Sequence, residues 1–215
     1  MIVNEVTSIV IAIIAAYLLG SIPFAYVFTR LATGKDIRRL GSGNAGGNNV
    51  FQEVGLRAAI ATAFFDVGKG ALAVAMAHWL LDVPLHQPEL FVLLAAIAAI
   101  AGHMWSVYLK FSGGNGLSAT IGALAILMPW ELLIVIGLLL ILKVVTHNLV
   151  LSVNIGLLSV PISAWFLERS SLFVGFSVIV AVLLILNFIP TAKDAFTKAG
   201  STKDLTDELL RRDKR

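Results

Sequence analysis

Between Leu40 and Asn49 the chain reads Leu-Gly-Ser-Gly-Asn-Ala-Gly-Gly-Asn-Asn, with four glycines, three asparagines and a serine in ten residues. Glycine tolerates unusual dihedrals and leaves backbone N–H groups uncovered, so a run of this kind can cradle an anion. Lys35, Asp36, Arg38 and Arg39 stand immediately before it. Guanidinium groups beside free amides suit a phosphate. A flexible connector carrying positive charge next to a membrane is the competing reading, and the asparagine cluster weighs against it. The Gly-Lys-Ser/Thr ending of a nucleotide P-loop is missing, which argues against ATP or GTP.

A second glycine-rich segment, Phe111-Ser112-Gly113-Gly114-Asn115-Gly116, leads into an apolar run. A helix N-terminus there offers unpaired amides and a favourable dipole to an anion. His103 lies shortly before it in Gly102-His103, and is a site candidate against the alternative of an interhelical hydrogen bond. Asp66 and Lys69 stand one helical turn apart; either they neutralise each other inside the bundle or Asp66 holds the Lys69 cation near a site. Ser21, in Gly20-Ser21-Ile22-Pro23-Phe24, sits where proline predicts a kink, and its hydroxyl can face a site at the helix end. His147, Asn148, Ser152 and Asn154 form a polar patch read as inter-helix hydrogen bonding. There is no cysteine, no G-x-S-x-G elbow and no H-E-x-x-H zinc motif. An enzyme built from these residues works by positioning and charge complementarity.

The elements that must position them are apolar. The chain has 215 residues, of which 58% are hydrophobic and only 13% charged, with a mean hydropathy of +0.91. Soluble domains carry about a quarter charged residues, so the expected class is an all-α, polytopic membrane protein. The net charge of +3 does not point to nucleic acid, because no basic, aromatic-studded face is present. The first apolar run follows Glu5 and outlasts a signal peptide, so it reads as a retained span.

A hydrocarbon core of about 30 Å needs about 20 apolar helical residues. That ruler predicts about seven transmembrane helices, at 6–29, 57–81, 89–109, 117–128, 130–145, 149–167 and 171–189. The fourth and fifth are short and flank Pro129, so they form a full pair or a partly re-entrant one. An N-out, C-in arrangement leaves only Arg169 of the sixteen Lys and Arg residues outside, as the positive-inside rule requires. Both glycine-rich loops then face the cytoplasm. The transmembrane domain covers 1–190, and a charged cytoplasmic tail covers 191–215, including the stretch Asp204 to Arg212, read as a short interfacial helix or a frayed end.

Taken together, G-S-I-P-F at 20–24, D-I-R at 36–38, G-S-G-N-A-G at 41–46 with Asn49, D-V-x-K-G at 66–70, G-H at 102–103 and F-x-G-G-x-G at 111–116 form a specific pattern. It resembles the bacterial integral-membrane acyl-phosphate:glycerol-3-phosphate acyltransferases. The resemblance implies transfer of a fatty acyl group from acyl phosphate to glycerol 3-phosphate, giving lysophosphatidic acid and phosphate in phospholipid biosynthesis. It implies no cofactor and no metal, the lipid bilayer as surroundings, the cell (inner) membrane as location, and no nucleic acid; it admits a partner enzyme that supplies the acyl phosphate. By the same resemblance Ser42, Asn44 and His103 are the expected catalytic residues. Ser21, Arg38, Gly41, Gly43, Gly46, Asn49, Lys69, Gly113, Gly114 and Gly116 are expected to bind substrate phosphate.

The chain is a divergent member by this pattern. Gln52 stands where the family's first loop has an arginine, and Asn115 where its second loop has a lysine. Phe188 to Ala192 does not match the family's C-terminal motif. A catalytically silent relative that binds lipid or phosphate ligands, and regulates an active paralogue, is the alternative from another class. A small-solute transporter is the weakest reading, since no internal repeat is evident.

Overall fold

The computed structural model describes the backbone of residues 2–147 and 149–198, and the side chains of residues 5–145, 147, 152–153 and 155–189. Among these residues the elements are helical, with one isolated antiparallel bridge between Ser106 and Ser112. The chain divides into two compact units at Pro129 and Trp130.

The first unit contains α1 (Ile2–Ser21), α2 (Phe24–Thr33), α3 (Gly47–Glu53), α4 (Leu56–Leu81), α5 (Leu90–Met104) and α6 (Leu117–Leu127). Short 3-10 turns occupy Ile37–Arg39 and Val107–Leu109. The apolar stretch Glu5–Thr33 is long enough to cross a membrane. It is not the single helix expected over 6–29, however. Pro23 has no N–H to donate and its ring blocks the preceding turn, so α1 stops at Ser21 and α2 starts afresh at Phe24. The expected kink is a break. Gly34 ends α2 with φ at 71°, a left-handed cap that suits glycine. The third segment stops at Met104 rather than at 109, because its last residues turn back as the 3-10 element.

In this unit α1 packs on α5, and α4 on α6. The reason lies in four glycines. A Cβ on Gly20 would strike the Ala99 carbonyl, and one on Gly102 the Tyr17 carbonyl. A Cβ on Gly70 would strike the Ala119 carbonyl, and one on Gly122 the Val67 carbonyl. Helix backbones therefore touch, as small residues allow where lipid gives no hydrophobic drive between helices. Buried Ala12, Ala16, Ala95, Ala96 and Ala99 continue the same close seam, while Ile60, Phe64, Leu72 and Trp79 stay exposed on the outer face.

The second unit carries α7 (Pro129–Thr146), α8 (Leu149–Leu157), α9 (Val160–Leu167) and α10 (Ser171–Lys198). The segment expected at 149–167 is two helices, with Pro161 in the first turn of α9 and a break at 158–159. In α10 the helix starts where expected but runs past 189 to Lys198, so the first residues of the charged tail prolong it. The remaining tail, 199–215, Asn148 and the Asn154 side chain lie outside the described residues. Leu56–Leu81 and Ser171–Ile189 join Glu5–Thr33 as helical stretches long and apolar enough to span a bilayer.

Candidate active site

At the break between α1 and α2 the Ile22 carbonyl accepts from the Phe24 N–H at 3.2 Å and can take a second donor. Lys69 of α4 supplies one, its Nζ donating to that oxygen at 2.8 Å. The same ammonium lies 2.7 Å from Asp66 Oδ1 and 5.7 Å from the centre of the Phe24 ring. Asp66 Oδ1 is also 3.5 Å from His103 Nδ1 on α5. All three side chains are at most 4% exposed. Burying a lone charge in such a place is costly, and the Asp66–Lys69 contact offsets it. Lys69, expected at a phosphate, is thus engaged by Asp66 and Ile22.

The first loop is built from its own side chains. Asp36 caps the turn at Ile37–Arg39, accepting from the Arg38 backbone N–H at 3.0 Å and from the Arg38 guanidinium at 2.6 and 3.0 Å. The Arg38 guanidinium beside Asp36 holds its carboxyl below the usual carboxylate range. Arg38 also stacks 5.8 Å over the Tyr26 ring. Gly41 and Gly43, with φ of 51° and 74°, take the left-handed turns that other residues adopt at a cost. Asn49, 3% exposed, fills the loop's centre. Its Nδ2 donates to the carbonyls of Asn44, Leu40 and Ile37 at 3.0, 3.1 and 3.3 Å, and its Oδ1 accepts from Ser42 N–H at 3.1 Å. Ser42 itself is exposed, with Oγ accepting from the Asn44 N–H at 3.4 Å. Gly46 then caps α3.

The second loop closes against the first. Gly113 accepts from Ala45 N–H at 3.2 Å, and Gly114 N–H donates to the His103 carbonyl at 3.0 Å. Asn44 Nδ2 donates to Asn115 Oδ1 at 2.5 Å. Arg38 Nη1 reaches the Leu109 carbonyl at 3.1 Å, so it staples one loop to the other. Ser106 Oγ donates to the Ser21 carbonyl at 2.5 Å, fixing the approach to this loop on the end of α1. A Cβ on Gly113 would meet the His103 and Met104 carbonyls, and one on Gly114 would meet His103 Nε2. Gly116 caps α6 with φ at 86°.

The structure therefore gathers Asn44, Asn49, Gly113, Gly114 and His103 at one corner, with Arg38 bracing it, Ser42, Gly41, Gly43 and Gly46 along the first loop, and Gly116 opening α6. Ser21 adjoins it at the helix break, against Gly102. Among the described residues, Ser21 Oγ, Asn44 Oδ1 and Asp66 Oδ2 are buried here without a hydrogen-bond partner. Buried polar groups of this kind await a ligand or water. Asp66, read from sequence only as a possible counter-charge, joins the site directly; its spacing from Lys69 was the signal. Ser106 gave no signal at all. Amides from two loops, a buried imidazole and open hydrogen-bonding atoms make a corner suited to holding an anion and a hydroxyl close together.

A family model for glycerol-3-phosphate acyltransferase matches residues 10–198. A glycerol-3-phosphate acyltransferase 2 of Dehalococcoides mccartyi is 42% identical over 198 residues, covering 92% of this chain and 92% of the relative. A glycerol-3-phosphate acyltransferase 1 of that organism is 41% identical over 180 residues, covering 81% of this chain and 83% of the relative. The solved structure of PlsY, an integral membrane glycerol 3-phosphate acyltransferase, in its glycerol 3-phosphate form shares the fold, with a TM-score of 0.80 at 24% identity over 89% of this chain and 93% of that one. None of these relatives supports the silent alternative. Because the family model and the relatives run through both glycine-rich loops and nearly the whole chain, this protein belongs to the glycerol-3-phosphate acyltransferase family.

Proposed function

We propose that the protein transfers a fatty acyl group from acyl phosphate to glycerol 3-phosphate, releasing lysophosphatidic acid and inorganic phosphate. The observation that carries this is the joining of the two glycine-rich loops beside His103, through Ala45–Gly113 and Asn44–Asn115. A hydroxyl oxygen of the acceptor attacks the acyl carbon; the carbon–oxygen bond to phosphate breaks and its electrons leave with the phosphate. The hydroxyl proton ends on that phosphate. Acyl phosphate is already an activated anhydride, so holding the reactants together is the main task. Loop amides at Gly41, Gly46, Gly113 and Gly116 offset the phosphate charges, Gly43 and Gly114 shape the loops through their bonds to the Leu40 and His103 carbonyls, and Asn44, Ser42 and His103 face the reacting groups. Ser21 supplies a further contact. Arg38, Asn49 and Lys69 contribute mainly by holding the loops and the helix break. PlsY solved in glycerol 3-phosphate and lysophosphatidic acid forms is consistent with these as acceptor and product.

The membrane arrangement that suits this reaction has seven spans, N-out and C-in, in the cell membrane, with both loops cytoplasmic; the lone outer Arg169 supports it. An enzyme that makes acyl phosphate is the natural partner. The test is phosphate release by the purified protein given long-chain acyl phosphate, with and without glycerol 3-phosphate. Acceptor-dependent release is expected. Its absence, beside an active Dehalococcoides relative measured in parallel, would sink the reading.

A further inference from the structure

Asp66 has no assigned part in the reaction, yet its Oδ1 is the point where three elements meet. It lies 2.7 Å from Lys69 Nζ and 3.5 Å from His103 Nδ1. Lys69 in turn holds the Ile22 carbonyl at the break between α1 and α2. His103 presents its other nitrogen, Nε2, to Gly114, where a Cβ would collide with it. A buried carboxylate beside one imidazole nitrogen favours the proton on that nitrogen and leaves the other as the acceptor. No ionisable residue occurs on α6, which runs from Leu117 to Leu127. On α1 the nearby Tyr17 hydroxyl is already given to the Trp105 carbonyl at 2.8 Å.

We infer that Asp66 is a positioning residue for acyl transfer: it holds His103 with the proton on Nδ1 and Nε2 turned to the second glycine-rich loop. Lys69 completes the device, neutralising Asp66 while tying it to the helix break. The Lys69 ammonium offsets the cost of burying that carboxylate in an apolar setting. The three residues thus link the end of α1, the middle of α4 and the end of α5, so the orientation of the imidazole depends on the break at Pro23. The role in turnover rests on the acyltransferase reading above; the tautomer does not.

The experiment uses the full chain in detergent, with histidine labelled by nitrogen-15 and the His103 signals assigned by a His103→Gln variant. Above the ordinary imidazole titration range, wild type should show His103 as the Nδ1–H tautomer. In Asp66→Asn that preference should be lost, with kcat falling at least about tenfold and KM for both substrates little changed. Asp66→Asn leaves Lys69 buried without its partner, so Asp66→Asn with Lys69→Met supplies a second variant free of the stranded charge. An Nε2–H tautomer in wild type, or an unchanged His103 spectrum in both variants, overturns the inference. A spectrum that responds in a protein without acyl transfer would refute the proposed reaction and leave the positioning contact standing.

Discussion

Asn44 and Asn115 meet across the two glycine-rich loops, Nδ2 to Oδ1 at 2.5 Å. Asn115 stands where the family pattern has a lysine, and here it acts as a clasp. It fixes the Asn44 carboxamide, whose Oδ1 stays buried and open to a donor. The clasp predicts coupling. Asn44→Ala and Asn115→Ala should each lower kcat, and the double variant should lose little more than the worse single one. A coupling of about 1 kcal/mol, roughly fivefold in rate, is expected for one such hydrogen bond. Strictly additive losses would show that the two side chains act apart.

Much of this arrangement was legible from residue types. Runs of apolar residues located most of the helices, and glycine with asparagine located both loops. What stayed hidden depends on contacts distant in sequence. Pro23 marked a disturbance, but whether it kinks or breaks a helix depends on what joins the Phe24 N–H at the Ile22 carbonyl, and Lys69 lies on another element. Arg38 looked like a phosphate ligand by type, yet Asp36 and Leu109 occupy its guanidinium. Ser106 was invisible because its partner is a backbone carbonyl, which carries no residue signature.

Adjacent glycines of the second loop should respond differently to the same methyl group. On Gly113 a Cβ meets the backbone carbonyls of His103 and Met104, which cannot give way without moving the end of α5. On Gly114 it meets first the His103 ring and, at 3.0 Å, the Ala45 carbonyl; the ring is a side chain and gives way before backbone does, at the expense of its contact with Asp66. Gly113→Ala should therefore destabilise the fold by about 1–3 kcal/mol of overpacking, read as a lower thermal unfolding midpoint. Gly114→Ala should keep most of its stability and lose turnover. Equal stability losses in the two variants would contradict this division.

Asp36 gives the first loop a defined acid response. Its carboxyl is held below the usual range chiefly by the side-chain hydrogen bond from Arg38. A depressed folded value means the stabilisation is present above the unfolded aspartate value, about 3.9, and is lost as pH falls through the lowered folded one. The pair is partly exposed, 33% for Arg38 and 16% for Asp36, so salt should weaken the effect. A carbon-13 titration of the Asp36 carboxyl should show a depressed midpoint that rises towards the ordinary value in Arg38→Gln. A midpoint indifferent to that substitution would remove Arg38 as the cause.

Asn49 offers the sharpest test of how the first loop is built. Its amide nitrogen serves the carbonyls of Asn44, Leu40 and Ile37, and its oxygen serves Ser42 N–H. Asn49→Ala strands these groups, each worth about 1–3 kcal/mol if it stayed buried; the loop will open to water instead and lose less than the sum. Asn49→Asp separates donation from volume. It keeps an acceptor for Ser42 and nearly the same shape, but sets a carboxylate against three carbonyl oxygens. If donation builds the loop, Asn49→Asp should unfold at least as readily as Asn49→Ala and expose the loop to protease cleavage between Asp36 and Asn49. Wild-type stability in Asn49→Asp would mean the loop relies on packing alone.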